Sequence, residues 1–152
     1  MITPEVSAYL EQSLIPLRLS CVTPSGWPVV LSLWYLHRDG RLYCATQEHA
    51  KVVSYLRHEP RCAFEVASDQ PPYCGVRGQA KAVIDRDLGA EILRQLLLRY
   101  LGGTDSPLAR QLLSRGQTEV AIIIEPVTLF KWNFAARMKD SITIETPKPC
   151  PA

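Results

Sequence analysis

Few side chains in this sequence could do chemistry unaided, and the most telling is Lys51, in the stretch YCATQEHAKVVSYLRHEP from Tyr43 to Pro60. The stretch opens like a strand end and finishes like a helix closed by Pro60, so Lys51 falls near the helix start. A helix N-terminus carries partial positive charge and unpaired N–H groups, so a lysine there costs roughly 0.3–1 kcal/mol. Arg57 and His58 stand at the far end, where cations belong. Two readings of Lys51 follow. It is a solvated side chain whose small cost is tolerated, or it shares an anion with the helix N-terminus. Thr46, just upstream, is an ordinary capping-type hydroxyl or a further donor to that anion.

The remaining reactive residues exclude more than they suggest. His37, His49 and His58 form no HExxH or similar ligand spacing, so no protein-held metal is expected. The five cysteines, Cys21, Cys44, Cys62, Cys74 and Cys150, are odd in number and contain no CxxC pair. Reduced thiols buried as small core fillers in a cytoplasmic protein are the economical reading. A net charge of +2 is too small to argue for nucleic acid or an anionic membrane. No apolar run is long enough to span a bilayer. The opening MITPEVSAYLEQ lacks a basic segment before an apolar one, and reads as a short helix with Thr3 as N-cap and Pro4 at its first position.

A chain of 152 residues with 47% hydrophobic and 21% charged content suits one domain with a sizeable core. IPLRLSCVT, PVVLSLWYL and RLYCAT read as three strands joined by the turns PSGW and HRDG, Asp39-Gly40 being a strong hairpin signal. A helix from about His49 to His58 follows, then the strands RCAFEVAS and YCGVRGQAKAVID. In the latter, Val76, Gly78, Ala80, Ala82 and Ile84 alternate with Arg77, Gln79, Lys81 and Val83. Gly75 and Gly78 mark a bulge or a close approach by another backbone or a ligand. Two helices come next. The first is striped by Leu88, Ile92, Leu93, Leu96, Leu97, Tyr100 and Leu101 and ended by Gly102-Gly103; the second is capped by Ser106. TEVAIIIEP and TLFKWNFAA are the last strands. Residues 1–140 form the domain, and 141–152 a loosely ordered proline-rich tail. So many strands with short turns favour an antiparallel sheet closed into a small barrel.

The segments TPSGWPVVLSLWYL, GRLYCATQEHAKVVSYLRHEPRCAFEV, GVRGQAKAV and EPVTLFKW together resemble the flavin-binding split-barrel family related to pyridoxamine 5'-phosphate oxidase. The resemblance covers about Ile15 to Asn133. It implies a mainly β fold, a six- to seven-stranded antiparallel split barrel with flanking helices, a homodimer, and FMN at the subunit interface. It implies that the flavin ring runs along Val29, Val30, Leu31, Ser32 and Trp34, and that Ala45, Thr46, His49, Ala50 and Lys51 take the phosphate. Gln79 and Trp132 stand where relatives bring side chains to the ring system. Ser32 could equally satisfy a neighbouring carbonyl, Gln79 a solvated face, and Trp132 the core. Asn133 and Arg137 are weaker candidates.

The resemblance implies an FMN-dependent oxidoreductase of a small substrate, in which the flavin does the chemistry and no acid–base pair is required. A non-catalytic flavin-, deazaflavin- or haem-binding protein is the alternative, and haem would need one of the three histidines as axial ligand. Ala50 precedes Lys51 where pyridoxamine 5'-phosphate oxidases present a second basic residue, and WNFAARMKD lacks their substrate-phosphate pattern. Vitamin B6 oxidation is therefore expected to be slow or absent.

Overall fold

The computed structural model describes residues 2–140 and 150–151. Helix α1, Pro4–Gln12, starts as its sequence requires, with the Thr3 hydroxyl accepting from the Val6 N–H at 3.4 Å. Strand β1, Leu17–Val22, and strand β2, Pro28–Leu33, pair across a tight turn in which Gly26 takes φ 87°. The expected single strand PVVLSLWYL is broken. It resumes as β3, Leu36–Arg38, after Trp34 and Tyr35 have left the ladder. Each ring has an anchor far off in sequence. The buried Tyr35 hydroxyl donates to the carbonyls of Leu10 at 2.8 Å and Ser13 at 3.1 Å. Trp34 stacks on Tyr100 with ring centroids 4.9 Å apart.

Asp39 and Gly40 turn the chain into β4, Arg41–Gln47, with φ of 51° and 74°. Positive φ at both central residues is what a two-residue hairpin turn of this twist needs. Helix α2, Lys51–His58, begins two residues later than the sequence suggested and buries Val52, Val53 and Leu56. Then come β5, Arg61–Ala67, and the long β6, Cys74–Asp85. Helices α3, Gly89–Leu101, and α4, Pro107–Leu113, lead through a short turn to β7, Glu119–Pro126, and β8, Phe130–Asn133. Gly102, in the left-handed region at φ 72°, stops α3 as expected, although Leu101 ends up 37% exposed rather than in the stripe.

The sheet runs β2-β1-β5-β6-β7-β4-β3, antiparallel throughout, with β8 paired to the first half of β6. Laid flat, seven strands would hold the two edges about 29 Å apart. Yet β2 ends at Leu33 and β3 begins at Leu36, a gap that extended chain crosses in about 10 Å. The sheet must therefore curl until its edges meet at one kinked segment, whose halves pair with β1 and β4. β6 is shared in the same way. Ala80 to Asp85 pair with β7, and Cys74 to Arg77 with β8, which splits the barrel wall.

Alternate residues point inward. Leu17, Leu19, Leu42, Phe64, Val66, Val76, Ile122 and Ile124 are buried in one core with α1 and α2. Gly78 lies where a Cβ would stand 2.2 Å from the Thr128 carbonyl oxygen, so its absent side chain serves close backbone approach. Cys21, Cys44 and Cys62 are free and buried in that core, as expected, and burial pushes the Cys62 thiol up to about 12. The expectation of reduced thiols fails for the other two, because Cys74 and Cys150 form a disulfide with Cα atoms 5.7 Å apart. Local spacing gave no hint of it, since the partners are 76 residues apart. Residues 141–149 of the expected proline-rich tail lie outside the described residues.

Candidate functional site

Strand register decides which predicted residues can meet. Across the outer face one row reads Val30, Ser20, Ala63, Gln79. The next reads Ser32, Arg18, Glu65, Arg77, Phe130. These rows, with the Thr128–Phe130 connection as a wall, line a groove of about 490 Å3. A second cavity of about 500 Å3 shares Glu65, Arg77 and Phe130 with it and adds Tyr73, Trp132 and Phe134. Of the residues assigned to the flavin ring, Val30 and Gln79 line the groove, and the exposed Ser32 adjoins it beside Arg18. Val29 and Leu31 alternate to the opposite face and pack against the core, so only their backbone faces outward.

Trp34 and Ala45 lie under a different roof. Both pack against the cluster of Leu93, Leu97 and Ala109 supplied by α3 and α4. Trp132 is half-buried, its ring 5.0 Å from that of Phe134. Its Nε1 is buried and meets no hydrogen-bond partner among the described residues.

The corner between β4 and α2 holds the remaining candidates. Thr46 is half-buried and registers with Val120, while His49 and Lys51 are exposed. Ala50 occupies the N-cap position in extended geometry and offers no capping side chain. No acidic residue stands in the first turn of α2. The nearest upstream acid, Glu48, is ion-paired with Arg86 and, at 4.0 Å, with Arg57. Lys51 makes no ion pair among the described residues, so this corner combines uncapped backbone donors with an unneutralised cation. The groove lining does not include Thr46, His49 or Lys51, so within one chain the predicted residues fall into two separate groups.

Sequence reading missed Arg18, Glu65, Arg77 and Phe130. In their strands they look like the solvated half of an alternating pattern, and only cross-strand register places them in one row. The Arg77 guanidinium lies 5.1 Å from the centroid of the Phe130 ring.

No protein-family model and no curated protein sequence matches the chain. Solved structures do. A conserved hypothetical protein from Mycobacterium tuberculosis aligns at TM-score 0.74 with 19% identity, over 100% of this chain and 95% of its own. An F420 reductase aligns at 0.70 with 20% identity, over 84% and 98%. A Listeria innocua protein named for pyridoxamine 5'-phosphate oxidase aligns at 0.64 with 20% identity, over 84% and 94%. Curled antiparallel sheet, shared β6 and flanking helices agree with these likenesses, and the fold of this chain is the split barrel of the pyridoxamine 5'-phosphate oxidase-like proteins.

Proposed function

We propose that the protein is an FMN-dependent oxidoreductase of a small substrate, working as a homodimer with the flavin in the seam. The observation that carries this reading is the uncapped start of α2, with Lys51 exposed and unpaired among the described residues, beside an already neutralised Glu48. A phosphate there would turn the cost of Lys51 into a charge-assisted contact. Lys51 Nζ and the first N–H groups of α2 would hold it, with the Thr46 hydroxyl as a further donor. Ser32 and Gln79 would offer hydrogen bonds at the ring edge, and Val30 an apolar surface beneath the ring. When bound, the flavin supplies the electron transfer; the protein orients it and keeps water from its faces.

A second copy resolves the separation of the two groups. Trp27 at 74%, Val30 at 69%, Val127 at 64% and Phe130 at 55% exposure leave large apolar side chains uncovered, several of them at or beside the groove. Pairing two such faces would bury them and bring the Lys51 corner of one copy towards the groove of the other. Release of the ligand by denaturation, followed by mass spectrometry, should yield FMN. A deazaflavin, haem, or a colourless protein that gains nothing from added FMN would overturn the cofactor. Sedimentation of a 17.0 kDa monomer with FMN still bound would overturn the shared seam.

A further inference from the structure

We infer that the outer groove holds the substrate, and that this substrate is a flat organic monocarboxylate whose carboxylate is gripped by Arg18 and Arg77. The inference deepens the oxidoreductase reading by naming a substrate class, and rests on that reading only for the reaction.

The charge pattern is the starting point. Arg18, Glu65 and Arg77 register side by side on β1, β5 and β6, and all three line the groove. Opposite charges at facing positions normally pair, each pair contributing a few tenths of a kcal/mol or more. Here neither arginine is ion-paired with Glu65 among the described residues. Two arginines, one on each side of a single carboxylate, thus line the cavity with no ion pair among the described residues. Two positive charges and one negative leave the row at +1, which a monocarboxylate balances and a phosphate dianion exceeds. Arginine presents planar, paired donors that match a carboxylate.

The rest of the groove selects shape. Its floor is low, because Ser20 and Ala63 are small. Leu129 and Phe130 give it an apolar wall at the Arg77 end, away from the Val30 surface assigned to the flavin ring. The Phe130 ring, 5.1 Å from the Arg77 guanidinium, offers a stacking surface that a flat body matches.

The test pairs each acid with its neutral amide, using benzoate, cinnamate and indole-3-acetate on the whole chain, with and without added FMN. Calorimetric titration should show at least one acid bound ten-fold or more tightly than its amide. Arg18→Gln and Arg77→Gln, both on exposed positions, should each bring that ratio close to one while the circular dichroism spectrum stays unchanged. Equal binding of acid and amide by the unaltered protein, or no binding of any acid, overturns the inference whatever the variants do. So does a preference that survives both substitutions. FMN uptake, read separately from absorbance, keeps the two readings apart. Uptake without carboxylate preference refutes this site alone, and preference without uptake refutes the flavin alone.

Discussion

At the scale of single residues, Lys51 and Glu119 make opposite use of their surroundings. Lys51 is exposed and makes no ion pair among the described residues, so its side chain adds little to the fold. Lys51→Ala should lose roughly 1.5–3 kcal/mol of FMN affinity, the scale of a hydrogen bond to a charged group, with little change in stability. A fluorescence titration with FMN measures this, and an unchanged affinity would remove the phosphate role. Glu119 is buried at 6% exposure beside Gln47, whose amide donates to it. Burial raises its carboxyl above the usual carboxylate range, against the opposing pull of the Gln47 bond. A raised value means that the stability it contributes is full below the ordinary range and is lost as pH rises through the raised one. Glu119→Gln keeps an acceptor and removes the charge, so the variant should gain melting temperature over the parent at pH 7 and not at pH 4. Lys51 was legible in the sequence because its anomaly is local: a cation at a helix start. Arg18 and Arg77 were not, because outward residues of isolated strands all look alike until register puts them in one row.

Elements show the same division between local and distant causes. The Asp39-Gly40 hairpin and the caps of α1 and α4 read directly from neighbouring residues, and each takes the expected geometry. The break of the strand at Trp34 and Tyr35 did not, since nothing within PVVLSLWYL interrupts its β character. Its causes, Leu10, Ser13 and Tyr100, are distant in sequence. Arg99 of α3 completes that junction. Its guanidinium donates to the carbonyls of Glu11 at 2.6 Å, Leu10 at 2.9 Å and Ser13 at 2.6 Å, placing a cation on the carbonyls left without helical partners where α1 ends. The same side chain lies 5.2 Å from the Tyr35 ring centroid. Arg99→Ala should therefore cost about 2–3 kcal/mol in urea unfolding, and Tyr35→Phe about 1 kcal/mol, as charged and neutral hydrogen bonds do. Losses below a few tenths of a kcal/mol in both would mean that the junction holds without them.

For the whole molecule, the number of strands and the shortness of their turns made closure legible, but not the order in which the strands pair. The link from Cys74 to Cys150 was equally hidden, because no local pattern records that the chain end returns to β6. A cross-link spanning 76 residues of sequence removes unfolded-chain entropy worth up to about 4.5 kcal/mol. Cys150→Ser, or treatment with a thiol reductant, should lower unfolding free energy by about 2–4 kcal/mol. Identical urea midpoints with and without reductant would show that the bond does not form in solution.

Strand β7 bridges β4 and β6, so both stay half-paired until it arrives. Its residues lie at 119–126, whereas β4 ends at Gln47. At ribosomal rates of 5–20 residues per second, roughly 4–16 s separate the synthesis of the two strands. Once β6 ends at Asp85, the chain carries two open sheet edges and a core lacking Ile122 and Ile124 for the last roughly 2–8 s of that interval. The growing polypeptide is thus most exposed to misassociation shortly before its last wall is translated. Chaperone demand should concentrate there, rather than on the finished protein.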